Sequence, residues 1–360
     1  MTGGPEHHNH RETLLKAVPG LLLTLGLAIV AFGTWWFLAN TWLKFSALLW
    51  AFMYSIIAAN LVPALSSKRF HQGIDLSSTH LLKFAIALLG LTFSASVWVE
   101  LGGMGIAAVI MNLLFTSAFG YVFCRYVLKL DGALPLLLMV GTSICGATAI
   151  AATGPALRAK AEEMGLAVAV VTLFGLVAMF GYPLLYYGPL NHWLNNLPLA
   201  YGMWAGMGIH ETAQVIAAGS QVEGAASIAI SAKFIRIFMI GPMVFASLLM
   251  SRGSSSKASA RRIRWATPWF AVAFIALTLV NFGLDSLPIR SWWADFNNGY
   301  LKSGVTFLLA WSFAAVGLKV RFSAIRTVGF KAIVGGIVVS VVAGGSALLL
   351  VKYLWIPLSG

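Results

Sequence analysis

The sequence is poor in charged residues and in cysteine. Asp, Glu, Lys and Arg make up 10% of its 360 residues, whereas a soluble domain holds about a quarter. This deficit, beside 59% hydrophobic residues, excludes an ordinary soluble globular domain. The only cysteines are Cys124 and Cys145, so neither a disulfide framework nor a zinc site built on cysteine pairs is predicted.

Motifs for nucleotide chemistry are also absent from the sequence. No phosphate loop ends in Gly-Lys-Ser/Thr, and no stretch between apolar runs is long enough for a nucleotide-binding domain. We therefore expect no cofactor and no energy supply from ATP within this chain. The net charge of +13 lies mostly in short loops between apolar runs. That distribution is typical of positive-inside topology and not of a nucleic-acid partner.

The sequence contains many apolar runs of about 20 residues, a length sufficient to cross a bilayer. They predict an all-α polytopic membrane protein of about 11 transmembrane segments, with the lipid bilayer as its surroundings. The segments are about 15–38, 46–66, 81–98, 103–124, 132–154, 164–187, 196–218, 224–250, 267–284, 302–318 and 331–351.

The domain organisation follows from these segments. We predict a soluble N-terminal tail over 1–13 and a single membrane transport domain over 14–360, with a basic cytoplasmic loop at 251–264. If every segment crosses once, Lys and Arg accumulate inside when the N-terminus is cytoplasmic and the C-terminus periplasmic. That assumption places Arg158 and Lys160 outside.

Two pairs of similar stretches bear on internal symmetry. "ALLGLTFS" (87–94) resembles "AAVGLKVRFS" (314–323), at the ends of segments predicted to run in opposite directions. Such inverted repeats are typical of secondary transporters. The stretches 141–154 and 206–219 share G-x-x-I…A-x-G, but single crossings would make them parallel and so not inverted mates.

The first chemical motif is "GTSICGATAIAATG", residues 141–154. Its glycines weaken a helix, and its hydroxyl groups offer hydrogen bonds at the same place. A broken helix at the membrane midplane exposes backbone N–H groups and a positive helix end, which suit an anion. The alternative is that the small residues only permit close helix packing. The candidate ligands here are Thr142, Ser143, Cys145, Gly146 and Thr148.

The second motif is "GMGIHETAQVIAAG", residues 206–219. A zinc protease would need a second His at position 214, which is Gln. A polar cluster that joins helices is one interpretation of His210, Thr212 and Gln214. Glu211 favours another, because a carboxylate within the membrane is costly and typically lines a cavity or pathway. Since imidazole titrates near neutrality, His210 and Glu211 are candidates for proton coupling.

The third motif, "SAKFIRIFMIGP" (231–242), carries Lys233 and Arg236 three residues apart on one helix face. One interpretation is a cationic face along an anion path, since the Arg fork matches oxyanions. The other is that both side chains extend to the membrane interface.

These three motifs, in this order, resemble the YeiH-type family of bacterial inner-membrane proteins, which is associated with sulfate export. The likeness covers nearly the whole chain. A more distant similarity is to bile-acid–sodium symporters, although "GMGIHETAQ" departs from their pattern. The resemblance implies location in the inner membrane, an inverted-repeat fold with discontinuous crossing helices, and alternating access.

We therefore predict a secondary active transporter, not an enzyme, for a small inorganic anion such as sulfate or sulfite moving outward. Thiosulfate or an organic sulfonate would suit the same pocket. An anion channel or an intramembrane metalloenzyme using His210 and Glu211 are the alternatives, and small-residue faces are compatible with a homodimer. The predicted substrate ligands are Thr142, Ser143, Cys145, Gly146, Thr148, Thr212, Gln214, Lys233 and Arg236.

Overall fold

The computed structural model describes residues 10–38, 45–94, 96–251, 269–285, 287, 290–321 and 329–358. Within these ranges the chain forms helices and no strand. The predicted tail over 1–13, except for its last residues, and nearly all of the predicted basic loop at 251–264 lie outside the described residues.

The helices follow one another along the chain with short connections. The first are α1 His10–Leu38, α2 Ala47–Leu61, α3 Lys68–Asp75, α4 Leu82–Leu89, α5 Ser96–Val122, α6 Leu134–Val140, α7 Ala147–Ala156 and α8 Ala161–Leu185. The others are α9 Pro198–Gly208, α10 Thr212–Gly219, α11 Ala226–Phe238, α12 Ile240–Met250, α13 Trp269–Asp285, α14 Arg290–Phe296, α15 Lys302–Leu318 and α16 Phe330–Leu350. Short π-helical turns include Phe123–Val127, Gly141–Cys145, Tyr186–Leu190 and Val351–Trp355.

Six of the described helices are long and apolar enough to cross a membrane, or seven if the bent pair α11 and α12 forms one span. The bend within that pair is 42°. Further apolar helices are too short to qualify by length, among them α2 and Leu134–Cys145. The chain is thus an all-α membrane protein, with fewer long spans in its described part than the 11 segments predicted.

The residues group into two compact units. One contains residues 1–92 and 272–322, and the other contains residues 93–271 and 323–360. In the first unit α15 packs against α1 and α2. There Trp311 Nε1 donates to Thr24 Oγ1 at 2.8 Å, and α1 and α3 approach closely at Gly20 and Gly73. The prediction of a single transport domain over 14–360 stays a prediction.

The second unit contains all three chemical motifs. Its long helices are α5, α8 and α16, and α5 and α16 are joined by Asn112, which donates to Ala343 O at 3.1 Å. Two pairs of short helices, α6 with α7 and α9 with α10, pack among the long ones. A buried apolar cluster surrounds the first pair and includes Leu137, Ile150 and Val171.

The segment Leu134–Ala156 is a hairpin, here called the first hairpin. The π-helical turn Gly141–Cys145 ends at Gly146, whose φ of 61° reverses the chain. Gly141 lies against the side chain of Ile150, and Ala133 N donates to Glu163 Oε1 at 2.9 Å. A straight helix would separate the ends of this segment by about 33 Å. The first arm therefore begins, and the second arm ends, at the same end of the second unit.

The segment Pro198–Gly219 is the second hairpin. Its arms are separated by an extended break in which Ile209 has ψ 141° and Glu211 has ψ 143°. Tyr201 OH donates to Ala218 O at 2.9 Å. A straight helix would place these two residues about 25 Å apart. The chain therefore turns back on itself at the break.

The bases of the two hairpins lie at opposite ends of α8. Glu163, in the first turn of α8, bonds the base of the first hairpin. Tyr187, just after α8, donates through its hydroxyl to Gln221 O beside the base of the second, at 2.9 Å. The 25 residues of α8 span about 37 Å. The hairpins thus enter the second unit from opposite ends.

The two hairpins stand where discontinuous crossing helices were predicted. The breaks lie where glycine and polar residues weaken the helices, but the chain reverses there and re-enters. As a consequence Arg158 lies at the same end of the unit as Arg125, where both line one open pocket. The predicted placement of Arg158 and Lys160 across the membrane from Arg125 is therefore wrong.

Candidate functional site

The tips of the two hairpins meet at His210. Its ring is fully buried, and Nδ1 lies 3.1 Å from Thr142 O in the first hairpin. Because a carbonyl oxygen only accepts, Nδ1 carries the hydrogen. The neutral ring then accepts at Nε2 from the Ser340 hydroxyl of α16, at 2.7 Å. His210 thereby ties the two tips to α16.

Gln214 and Glu211 form a capping box at the start of α10. Gln214 Oε1 accepts from Glu211 N at 3.3 Å, which satisfies a backbone N–H that the helix leaves unpaired. The amide nitrogen of the same Gln214 side chain donates to Thr172 O of α8 at 3.2 Å. Both polar atoms of this buried amide are therefore hydrogen-bonded, and its nitrogen holds the second tip against α8.

The Glu211 carboxylate lies where two helices begin. Its Oε1 accepts from Ala147 N, the first residue of α7, at 3.4 Å, and from Thr172 Oγ1 at 3.1 Å. Glu211 itself is the N-cap of α10. The positive amino ends of α7 and α10 thus converge on one carboxylate. Glu211 is partly exposed, unlike the fully buried His210 beside it.

Gly146 makes this approach of backbone and carboxylate feasible. A methyl group at position 146 would collide with the Glu211 side chain, and the φ of 61° is one that side-chain-bearing residues rarely adopt. Glycine is therefore required here both for conformation and for space.

Lys233 of α11 is fully buried beneath the second tip. Its Nζ donates to Ile209 O at 2.9 Å and to His210 O. These carbonyls belong to the break that follows α9, where no helical N–H is available to them. Extension of this side chain to the membrane interface, the alternative considered above, is excluded by its burial.

Arg236 of α11, also fully buried, bridges the two tips. Nε donates to Ser143 O at 2.8 Å and Nη2 to Thr142 O at 2.7 Å, both at the end of the first arm of the first hairpin. Nη1 donates to Gly206 O at 3.2 Å and to Met207 O at the corresponding end in the second hairpin. The guanidinium thus satisfies carbonyls at two negative helix ends.

The remaining predicted ligands differ in their solvent exposure. The Thr142 and Ser143 hydroxyls donate back to Leu138 O and Met139 O, at 2.7 and 2.6 Å. Cys145 is buried in the first tip, within electrostatic reach of Lys233. By contrast, Thr148 on α7 is exposed and Thr212 at the start of α10 is partly exposed. The first tip therefore offers backbone groups more than hydroxyls, and Thr148 stands apart from the bonded cluster.

Two participants were missed by the sequence analysis, Thr172 and Ser340. Thr172 is the one Ser or Thr of the long apolar helix α8, and Ser340 is one of two serines in the long apolar helix α16. Such residues commonly bond a carbonyl of their own helix, so their sequence context carries no distinguishing signal. Only the long-range contacts to Glu211 and His210 mark them.

Comparison with known proteins places the chain in a family. The family model described as "Conserved hypothetical protein 698" matches residues 19–336. The chain is 33% identical over 329 residues to "UPF0324 inner membrane protein YeiH" of Salmonella typhi, covering 90% of each chain. It is 32% identical over 358 residues to the protein of the same name from Escherichia coli (strain K12), covering 97% of each.

A third relative is "UPF0324 membrane protein PA5383" of Pseudomonas aeruginosa, 34% identical over 329 residues and 88% of each chain. No solved structure matches the chain. The family match over most of the sequence agrees with the three motifs and with the helical membrane architecture. The protein therefore belongs to the conserved hypothetical protein 698 family, together with the YeiH-type inner membrane proteins.

Proposed function

We propose that the protein is a secondary active transporter of a small inorganic anion in the bacterial inner membrane. The observation that carries this proposal is the convergence of the amino ends of α7 and α10 on the partly exposed Glu211. Backbone N–H groups and positive helix ends form sites for anions. The two cations beside this point are fully buried and fixed to carbonyls, whereas Glu211 is a partly exposed residue. When Glu211 is protonated, these amino ends and the two cations would form the anion site that we propose.

The paired hairpins support transport by alternating access. Broken helices that meet near the midplane are typical of secondary transporters with inverted repeats. The shared pattern of 141–154 and 206–219 fits this arrangement, because the two hairpins enter from opposite ends. They are therefore candidates for the inverted mates that single crossings did not permit.

The re-entrant hairpins also improve the proposed topology. If two of the 11 predicted segments are hairpins and the other nine cross, the termini stay on opposite sides. Arg158 and Lys160 join Arg125 at one end of the second unit. By the positive-inside rule that end is cytoplasmic, with the N-terminus inside and the C-terminus outside.

A sulfur oxyanion such as sulfate or sulfite is the substrate we propose, moving outward as gradients direct. The names of the relatives state no substrate, and this choice rests on the family resemblance and on charge. Lys233, Arg236 and ionised Glu211 leave one net positive charge at the tips, and protonated Glu211 leaves two. Binding of a divalent anion would then be matched by uptake of a proton on Glu211.

Glu211, and not His210, is the proton carrier in this proposal. His210 donates to a carbonyl, accepts from Ser340 and lies beside Lys233 and Arg236, which disfavours a further positive charge. We propose that His210 positions the tips. Glu211 is the partly exposed member of the pair.

The test is flux of labelled sulfate and sulfite in proteoliposomes, with and without an imposed pH gradient. Glu211→Gln keeps the size and the hydrogen bonds and removes the titratable charge. Glu223→Gln makes the same chemical change at an exposed turn of the second unit and serves as the control. We expect gradient-driven flux in the wild type and in the control, and none in Glu211→Gln.

Other outcomes have distinct meanings. Flux that persists in Glu211→Gln and ignores the pH gradient would identify an anion channel of the same architecture. Absence of flux for both anions in the wild type would remove the substrate assignment.

A further inference from the structure

The hairpin tips contain backbone carbonyls that lack helical N–H partners, and such carbonyls can bind cations. The last carbonyls of a helix have no helical N–H partner. In secondary transporters with broken helices, unwound carbonyls and the carboxyl ends of half-helices coordinate the coupling sodium ion. The corresponding atoms here are the carbonyl oxygens of Thr142 and Ser143 in the first tip and of Ile209 and His210 in the second.

In this protein those carbonyls are already occupied by side-chain cations. Lys233 Nζ contacts Ile209 O and His210 O, and Arg236 contacts Thr142 O and Ser143 O. Both side chains are fully buried on one helix, α11. Neither forms an ion pair with a carboxylate in the part of the chain that the structure describes.

Buried charges are normally paired with an opposite charge or bound to a metal. Here the negative carboxyl ends of α9 and of the first arm of the first hairpin take that role, and Glu211 adds a more distant electrostatic interaction with Lys233. The two cations thus fill positions whose chemistry suits a monovalent metal ion.

We infer that Lys233 and Arg236 are built-in replacements for coupling cations, so that this protein neither binds nor requires sodium at the hairpin tips. The inference rests on the proposed function for its consequence, which is transport independent of sodium. Lys233 is the closer substitute, because its compact single charge contacts two successive carbonyls of one break. Arg236, with contacts in both tips, also holds the hairpins together.

The experiment measures thermal unfolding of the purified full-length protein in sodium chloride and in choline chloride. Lys233→Met removes the charge at similar length and both Lys233 hydrogen bonds, so that Ile209 O keeps only the Arg236 Nη1 contact at 3.4 Å. Lys233→Arg keeps a tethered cation. Asn112→Leu is the matched control, since it removes a buried polar contact of the same unit that involves no residue of either tip.

We expect sodium to raise the Tm of Lys233→Met by roughly 3 °C or more relative to choline, through preferential binding to the folded state. For the wild type, for Lys233→Arg and for Asn112→Leu, the Tm of each protein should be the same in sodium chloride as in choline chloride. Stabilisation of the wild type by sodium would overturn the inference, whether or not Lys233→Met folds. A folded Lys233→Met that ignores sodium would also overturn it, because the carbonyls would then not form a cation site.

Flux measurements separate this inference from the proposed function. Anion flux in wild-type proteoliposomes should change less than about twofold when choline replaces sodium, since a tenfold change would correspond to about 1.4 kcal/mol of coupling. Flux that requires sodium would overturn the inference and leave the transporter proposal intact. Absence of flux for every anion would overturn the transporter proposal, while the unfolding experiment would still decide the role of Lys233.

Discussion

Gly146 is the residue on which the first hairpin turns and against which Glu211 rests. We predict that Gly146→Ala lowers stability by about 1–3 kcal/mol, because alanine is strained at this φ and its methyl group meets Glu211. The measurement is the Tm of the purified protein. Gly165→Ala is the control, since Gly165 is an exposed helical position of α8 with open space around it. There the Tm should be unchanged or rise, in line with about 1 kcal/mol of helix propensity. Equal losses at both positions would contradict this account of the tip.

Two residues that are neighbours in the chain have different roles in the candidate site. His210 and Glu211 are adjacent, but the extended break directs them to different surroundings. His210 lies among carbonyls and cations, and Glu211 lies at amino ends of helices. Their chemical roles therefore follow from the backbone direction at the break and not from the pair as a motif.

At the scale of elements, the hairpins place distant positions at the same end of the second unit. Asp131 and Arg158, on either side of the first hairpin, are both exposed at its base, and Glu223 is exposed beyond the second hairpin. We predict that Asp131→Cys and Arg158→Cys react with a membrane-impermeant maleimide from one side of the membrane, and Glu223→Cys from the other. The background carries Cys124→Ala and Cys145→Ala. The measurement is labelling in oriented vesicles.

Labelling of Asp131→Cys and Arg158→Cys from opposite sides would show that the segment between them crosses the membrane. The unmodified background without added cysteine controls for nonspecific reaction. Because the two positions share one end of the structure, the experiment distinguishes a re-entrant hairpin from a crossing helix without knowledge of the substrate.

For the whole molecule, charge determines the expected orientation. Within the second unit Arg125, Arg158 and Lys160 lie at one end, and Lys352 bonds Asn195 at the other. We predict that alkaline phosphatase fused after Gly360 is active in the periplasm and that a fluorescent protein fused there is dark. The same fluorescent protein fused after Lys129 should be bright. The reverse pattern would contradict the proposed orientation.

How far the sequence could lead is clearest from particular stretches. The length and continuity of the apolar runs were sufficient to predict an all-α membrane protein, because few charges leave no other environment for them. The glycines and hydroxyl residues of 141–154 were sufficient to predict the first break, since local composition controls helix strength. The break within 206–219 was not predicted from the sequence. The identity of the site residues as ligands stays a prediction.

What the sequence alone determined, then, was membrane class, family resemblance and the positions of weak helix. Only the tertiary structure decided that the chain reverses at those positions, through contacts such as Tyr201 with Ala218 and Ala133 with Glu163. It also decided that Lys233 and Arg236 serve backbone carbonyls. The physical reason is that a broken helix can continue or turn back with the same local composition. The choice depends on packing and charge contributed by residues far away in the chain.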